Sequence, residues 1–208
     1  MIADNAVASS NFYKAGLALC RLLLFAGSIL QTLGGASFPE HQSMSEWGLD
    51  DAYISYRYAE NLVRGEGLVL NRGERVEGYS NFLYVLAVAP ALWVTDRDGV
   101  YFFSVLLNVI GALGALWLFN DHLRRNLGET AALAGSLLFA LCFLLWAAVA
   151  GGLETSMVLF VSVAIWVWVE RVAATPTLQN MLTLAFLVVL SLLARVDGFL
   201  LLLLCYKI

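Results

Sequence analysis

Five apolar runs, 15–33, 100–119, 131–150, 155–169 and 178–194, dominate the chain and limit what it can become. A bilayer crossing takes about 20 largely apolar residues as a helix. In hydrocarbon a crossing segment must satisfy its own backbone N–H and C=O groups, which a helix does without help from a neighbour. The runs therefore predict an all-α, polytopic transmembrane helix bundle. Composition agrees: 61% of the residues are hydrophobic and 13% charged, against about 45–50% and about 25% in soluble domains. A net charge of −4 and the lack of any Lys/Arg-rich run exclude a nucleic-acid partner. Cys20, Cys142 and Cys205 each lie in apolar surroundings without paired spacing, as small lipid- or core-facing residues do.

Residues 198–208 begin a sixth apolar segment that stops short of a full crossing, so the chain reads as the amino-terminal part of a longer protein. The run 82–94 is short and contains Pro90, which suits a re-entrant or interfacial helix better than a span. Charge supports that choice. Short loops rich in Lys and Arg stay cytoplasmic, which places the 120–130 loop with His122, Arg124 and Arg125 inside. The loop with Glu170 and Arg171 lies two crossings later and falls on the same side, as does the amino terminus with Lys14 and Arg21. These assignments agree only if 82–94 does not cross. A cleaved signal peptide is the rival for the first run, but Arg21 interrupts it, and a retained anchor with Arg21 snorkelling to the interface is favoured.

On this topology the long segment 36–99, the Gly151-Gly152-Leu153-Glu154 turn and the Arg195-Val196-Asp197-Gly198 turn all face outside. Within the outer segment Leu49, Ala52, Tyr53, Tyr56, Ala59 and Val63 recur at helical spacing, with Asp51, Ser55 and Arg57 turned elsewhere. This predicts an amphipathic interfacial helix with tyrosines at headgroup level, ended by Gly65 and Gly67. Residues 68–76 predict a small hairpin or an irregular loop. Taken singly, the acids have ordinary explanations. Asp50 suits an N-cap, Asp51 and Glu154 suit the first turn of a helix, and Arg195 and Asp197 can satisfy each other. Their convergence on one membrane face is what makes them candidates for a site.

The string from Asp50-Asp51 through Arg57 to Glu60-Asn61, followed by Gly65 to Asn71 and Gly73-Glu74-Arg75-Val76-Glu77-Gly78-Tyr79-Ser80-Asn81, resembles the first outer loop of GT-C superfamily glycosyltransferases. The branch it is most similar to is the actinobacterial arabinofuranosyltransferase-like enzymes. Gly152-Leu153-Glu154-Thr155 and Ala194-Arg195-Val196-Asp197-Gly198 resemble later motifs of that branch, with Val196 standing where proline is common. The resemblance spans Trp47 to Gly198 in scattered blocks, and such enzymes have more crossings and a carboxy-terminal part.

The resemblance implies a multi-pass enzyme of the plasma (inner) membrane, with its active site on the exoplasmic face. Its partners would be a polyprenyl-phosphate sugar donor, a glycan, lipid or protein acceptor, and membrane lipid. An aspartate of the outer loop would take the proton of the acceptor hydroxyl while the lipid phosphate leaves, inverting the anomeric centre. Matched to the motif, Asp50 is the expected base, with Asp51 beside it. Glu77, Asn81, Glu154 and Asp197 are expected at the substrate, and Arg57, Arg75 and Arg195 are candidates for the leaving phosphate. Tyr53 and Tyr58 are candidates for stacking on sugar. The sequence assigns no cofactor with certainty; Asp50-Asp51 with Glu77 make a candidate seat for a hard divalent cation, and no His or Cys cluster suits a transition metal. Little or no turnover is expected from the 208-residue chain alone. The competing expectation is a non-enzymatic membrane protein, such as a transporter or flippase subunit, or an inactive fragment of the enzyme. A transporter would place its ionisable groups near the bilayer midplane, whereas here they sit at segment ends.

Overall fold

The computed structural model describes residues 2–35, 50–74, 76–95, 97–198 and 200, and among these every regular element is a helix. In order they are α1 (Ile2–Gly35), α2 (Asp50–Val63), α3 (Phe82–Val88) running into a 3-10 turn (Ala89–Trp93), α4 (Arg97–Leu127), α5 (Glu129–Ala140), α6 (Phe143–Ala150), α7 (Thr155–Ala174), α8 (Leu178–Ala194) and a closing 3-10 turn (Val196–Gly198). Residues 68–74 form an irregular loop rather than a hairpin. Arg75, Cys205, residues 36–49 and most of the incomplete last segment lie outside the described residues.

Three stretches, Ser10–Gly34, Gly99–Leu127 and Thr155–Ala174, are long and apolar enough to cross a membrane. The run 131–150, expected as one unbroken crossing, is instead two helices bent by 51°. Cys142 leaves helical geometry (φ −68°, ψ 104°), and the carbonyls it frees need other donors. The Trp146 indole supplies one, donating to the Ala140 carbonyl at 2.8 Å. α1 accepts the bulky ring because residue 27 is glycine: a methyl there would lie 2.3 Å from Trp146 Cε2. At 17 residues α8 coincides with the expected run but is shorter than the other spans, and Phe82–Trp93 is shorter still.

Contacts along the bundle set its directions. α4 and α7 lie side by side and parallel, since Gly111 meets Ser156, Gly114 meets Phe160 and His122 meets Glu170. The glycines allow the close approach: a methyl on Gly111 would come within 3.0 Å of the Ser156 carbonyl oxygen. Small residues at such a seam are how helices associate where burial from water offers no drive. α1 runs antiparallel to α4, its Tyr13 hydroxyl donating to Asn120 Oδ1 at 2.5 Å. The amino terminus of α1, the α4–α5 loop and the end of α7 therefore share one end of the bundle.

The opposite end is covered by α2 and α3, and the burial there departs from a simple interfacial helix. Ala52, Tyr56 and Ala59 are buried as expected, but so are Ser55, Tyr58, Glu60 and Asn61. The reason is a return loop that packs over the polar side of α2. Asn61 Nδ2 donates to the Val69 and Leu70 carbonyls at 2.7 and 3.0 Å. The Tyr58 hydroxyl donates to Val76 O at 2.9 Å and accepts from Gly78 N at 2.8 Å. α2 is thus a core element of the covered end, with Tyr56, Tyr58 and Tyr84 among its largest buried side chains.

Candidate functional site

At the covered end the α6–α7 turn carries Glu154 into the protein. Gly152 adopts φ +73°, a left-handed conformation that side chains rarely tolerate, and a methyl on it would lie 2.5 Å from the Tyr56 hydroxyl. Its carbonyl accepts from the hydroxyls of Tyr56 at 2.8 Å and Tyr84 at 2.6 Å. Two residues earlier the Tyr101 hydroxyl donates to the Ala150 carbonyl at 2.8 Å. Carbonyls at a helix end lack intrahelical donors, and tyrosines from α2, α3 and α4 supply them here. Burial raises the pKa of both Tyr56 and Tyr84 above the usual phenol range, so both hydroxyls remain donors.

Glu154 follows two residues later and is 5% exposed. A buried carboxylate needs partners, and it has two. Asn81 Nδ2 donates to Oε2 at 2.8 Å, and Arg195 Nη1 approaches Oε1 at 3.4 Å. Asn81 occupies the N-cap position of α3, but its side chain makes no capping bond. Its amide bridges Glu154 and the Ser55 hydroxyl, the latter at 2.9 Å. Arg195 also donates from Nε to Asp197 Oδ1 at 2.9 Å, a bond that raises its pKa further.

These groups border a cavity of about 240 Å3 lined by Asp51, Ser55, Tyr79, Asn81, Glu154 and Arg195, together with neighbouring loop residues. Three distant stretches of chain therefore share one polar pocket. Among the described residues Arg195 is the only cation on the lining, against Asp51 and Glu154 on the lining and Asp197 just behind. Such a pocket suits a neutral hydroxyl-bearing ligand and offers carboxylates that can accept a proton.

Several expected site residues lie elsewhere. Asp50 is exposed at the start of α2 and does not line the cavity, because adjacent helical residues point about 100° apart. Glu77 and Asp197 are exposed and off the lining. Arg57 is tied to Glu60 Oε2 at 3.0 Å and to the Leu70 carbonyl, bracing the return loop. Tyr58 is wholly buried with its hydroxyl committed to that loop, so it has no face for sugar; Tyr79 is the aromatic on the lining. Arg75 lies outside the described residues. Asp50, Asp51 and Glu77 do not form a metal site: no group of three His, Cys, Asp or Glu side chains suited to a metal occurs among the described residues.

Ser55, Tyr56, Tyr79 and Tyr84 were not singled out as site residues by sequence reasoning. Ser55 and Tyr84 carried no separate signal, since a serine on the polar side of a helix and a tyrosine in an apolar run are both common. Comparison with protein-family models, curated proteins and solved structures finds no match to this chain.

Proposed function

We propose that the chain belongs to a membrane glycosyltransferase that moves a sugar from a polyprenyl-phosphate donor to a glycan, lipid or protein acceptor at the exoplasmic face of the plasma membrane. The observation that carries the proposal is the shared cavity in which Asp51 of the outer segment meets Asn81, Glu154 and Arg195. Those four residues also belong to the blocks that resemble the GT-C enzymes. α2 and α3 then form the outer cover, and the end of α4 that carries Arg124 and Arg125 faces the cytoplasm.

Of the pair Asp50-Asp51, it is Asp51 that lines the cavity. It takes the proton of an acceptor hydroxyl as that oxygen attacks the anomeric carbon. The bond from that carbon to the phosphate oxygen breaks, its electron pair leaves with the lipid phosphate, and the centre inverts. Phosphate is a good enough leaving group to need no acid. Arg195, which Glu154 and Asp197 share, is the described cation on the cavity wall that can meet the charge of the leaving phosphate.

Transfer from radiolabelled polyprenyl-phosphate sugars, in membranes holding the protein, tests this. Asp51→Asn should lower transfer by roughly 100-fold to 10,000-fold, the usual contribution of a general base, and Asp50→Asn should lower it far less. Undiminished transfer by Asp51→Asn removes it from the role of base. Absence of transfer by the unaltered full-length protein with every such donor sinks the proposal.

A further inference from the structure

Two tyrosines of the cover reach the same backbone oxygen, and that oxygen belongs to the turn presenting Glu154. We infer that Tyr56 and Tyr84 are positioning residues for Glu154, holding the turn through the Gly152 carbonyl so that the carboxylate meets Asn81 at the cavity. The inference rests on the cavity being the reaction site.

The carbonyl has two lone pairs, and the hydroxyls fill both, at 2.8 Å from Tyr56 and 2.6 Å from Tyr84. The Tyr56 hydroxyl also lies 2.6 Å from Ser104 Oγ, and Ser104 donates to the Tyr101 carbonyl at 2.7 Å, which ties the arrangement to α4. Beyond Glu154 the chain is held as well, its backbone carbonyl accepting from Val158 N at 2.9 Å in the first turn of α7. Only Leu153 separates the two anchors. Glu154 thus has its backbone held on both sides, and its carboxylate is delivered to Asn81 Nδ2 with little freedom to turn.

Neither tyrosine touches the cavity: both are 1% exposed and neither is on its lining. They act through Glu154. A phenylalanine at either position keeps the ring packing and removes only the hydroxyl, leaving the carbonyl with one donor. Loosening a positioned group by even about 1 Å can lower a rate by about 100-fold.

Tyr56→Phe and Tyr84→Phe, each in the full chain purified in detergent, are compared with the unaltered protein in two assays. Carbodiimide labelling of Glu154, followed by peptide mass spectrometry, reads the carboxylate directly and requires no transferase activity. Labelling is expected to rise severalfold in each variant. Where transfer is measurable, kcat should fall at least tenfold with KM within about twofold, since the tyrosines are remote from bound substrate.

Unchanged Glu154 labelling in both folded variants overturns the inference even if transfer is impaired. Loss of the fold in both variants also overturns it, since the tyrosines would then be structural only. If the unaltered protein shows no transfer, the proposed function falls while the labelling result still decides the positioning role.

Discussion

Asn81 and Glu154, separated by 73 positions in the chain, are joined by an amide-to-carboxylate hydrogen bond of 2.8 Å in which both side chains are buried. The bond links the outer segment to the start of α7 and forms one edge of the polar cavity. Removing the donor leaves a buried carboxylate dependent on the longer contact to Arg195. Asn81→Leu should therefore destabilise the protein by about 1–3 kcal/mol. In a cycle with Glu154→Gln, the combined loss should be smaller than the sum of the single losses. Thermal unfolding in detergent measures both, and strict additivity would show that the bond contributes nothing.

Gly152 should resist substitution for two separable reasons. Its φ of +73° costs a side chain about 1–2 kcal/mol, and a methyl there would meet the Tyr56 hydroxyl at 2.5 Å. Gly152→Ala should be destabilised by at least that backbone cost. Adding Tyr56→Phe should restore only the part due to the clash. Complete recovery in the double variant, read as the midpoint of thermal unfolding, would mean that the backbone there is not strained.

Burial raises the pKa of Tyr56 and Tyr84 above the ordinary phenol value of about 10. A raised folded-state pKa means that the unfolded chain ionises first. Stability linked to these phenols is complete below about pH 10 and declines as pH climbs above it toward the folded-state values. Unfolding temperatures between pH 8 and pH 11 should therefore fall at the alkaline end. Tyr84→Phe and Tyr56→Phe should each flatten the decline, and an unaltered alkaline slope in both would contradict the burial of the phenols.

The two ends of the bundle should be reachable from opposite sides of the membrane. Glu66 in the return loop and Asn126 at the end of α4 are both exposed. With cysteine at either position in a background lacking the native cysteines, an impermeant maleimide should label Glu66→Cys only from outside and Asn126→Cys only from inside. Labelling of both from one side would sink the proposed orientation.

That the described elements are helices, and where the apolar ones lie, can be read from the chain alone; their number and several bounds cannot, since 131–150 is two helices and α1 and α4 run beyond 15–33 and 100–119. Hydrophobic length and the need to satisfy backbone groups in hydrocarbon are one-dimensional constraints; the predicted run 178–194 matches α8. Counting crossings was enough to expect 36–99, Glu154 and Arg195 at one end. What tertiary structure decided is everything that depends on direction across the helix axis. It turned Asp51 to the cavity and Asp50 away, broke 131–150 at Cys142, and buried Tyr58 where an interfacial ring was expected. Those outcomes depend on partners such as the Gly152 carbonyl, 96 positions from Tyr56 and 68 from Tyr84. Local periodicity says which face of a helix is apolar, but only the packed neighbours determine what each side chain meets.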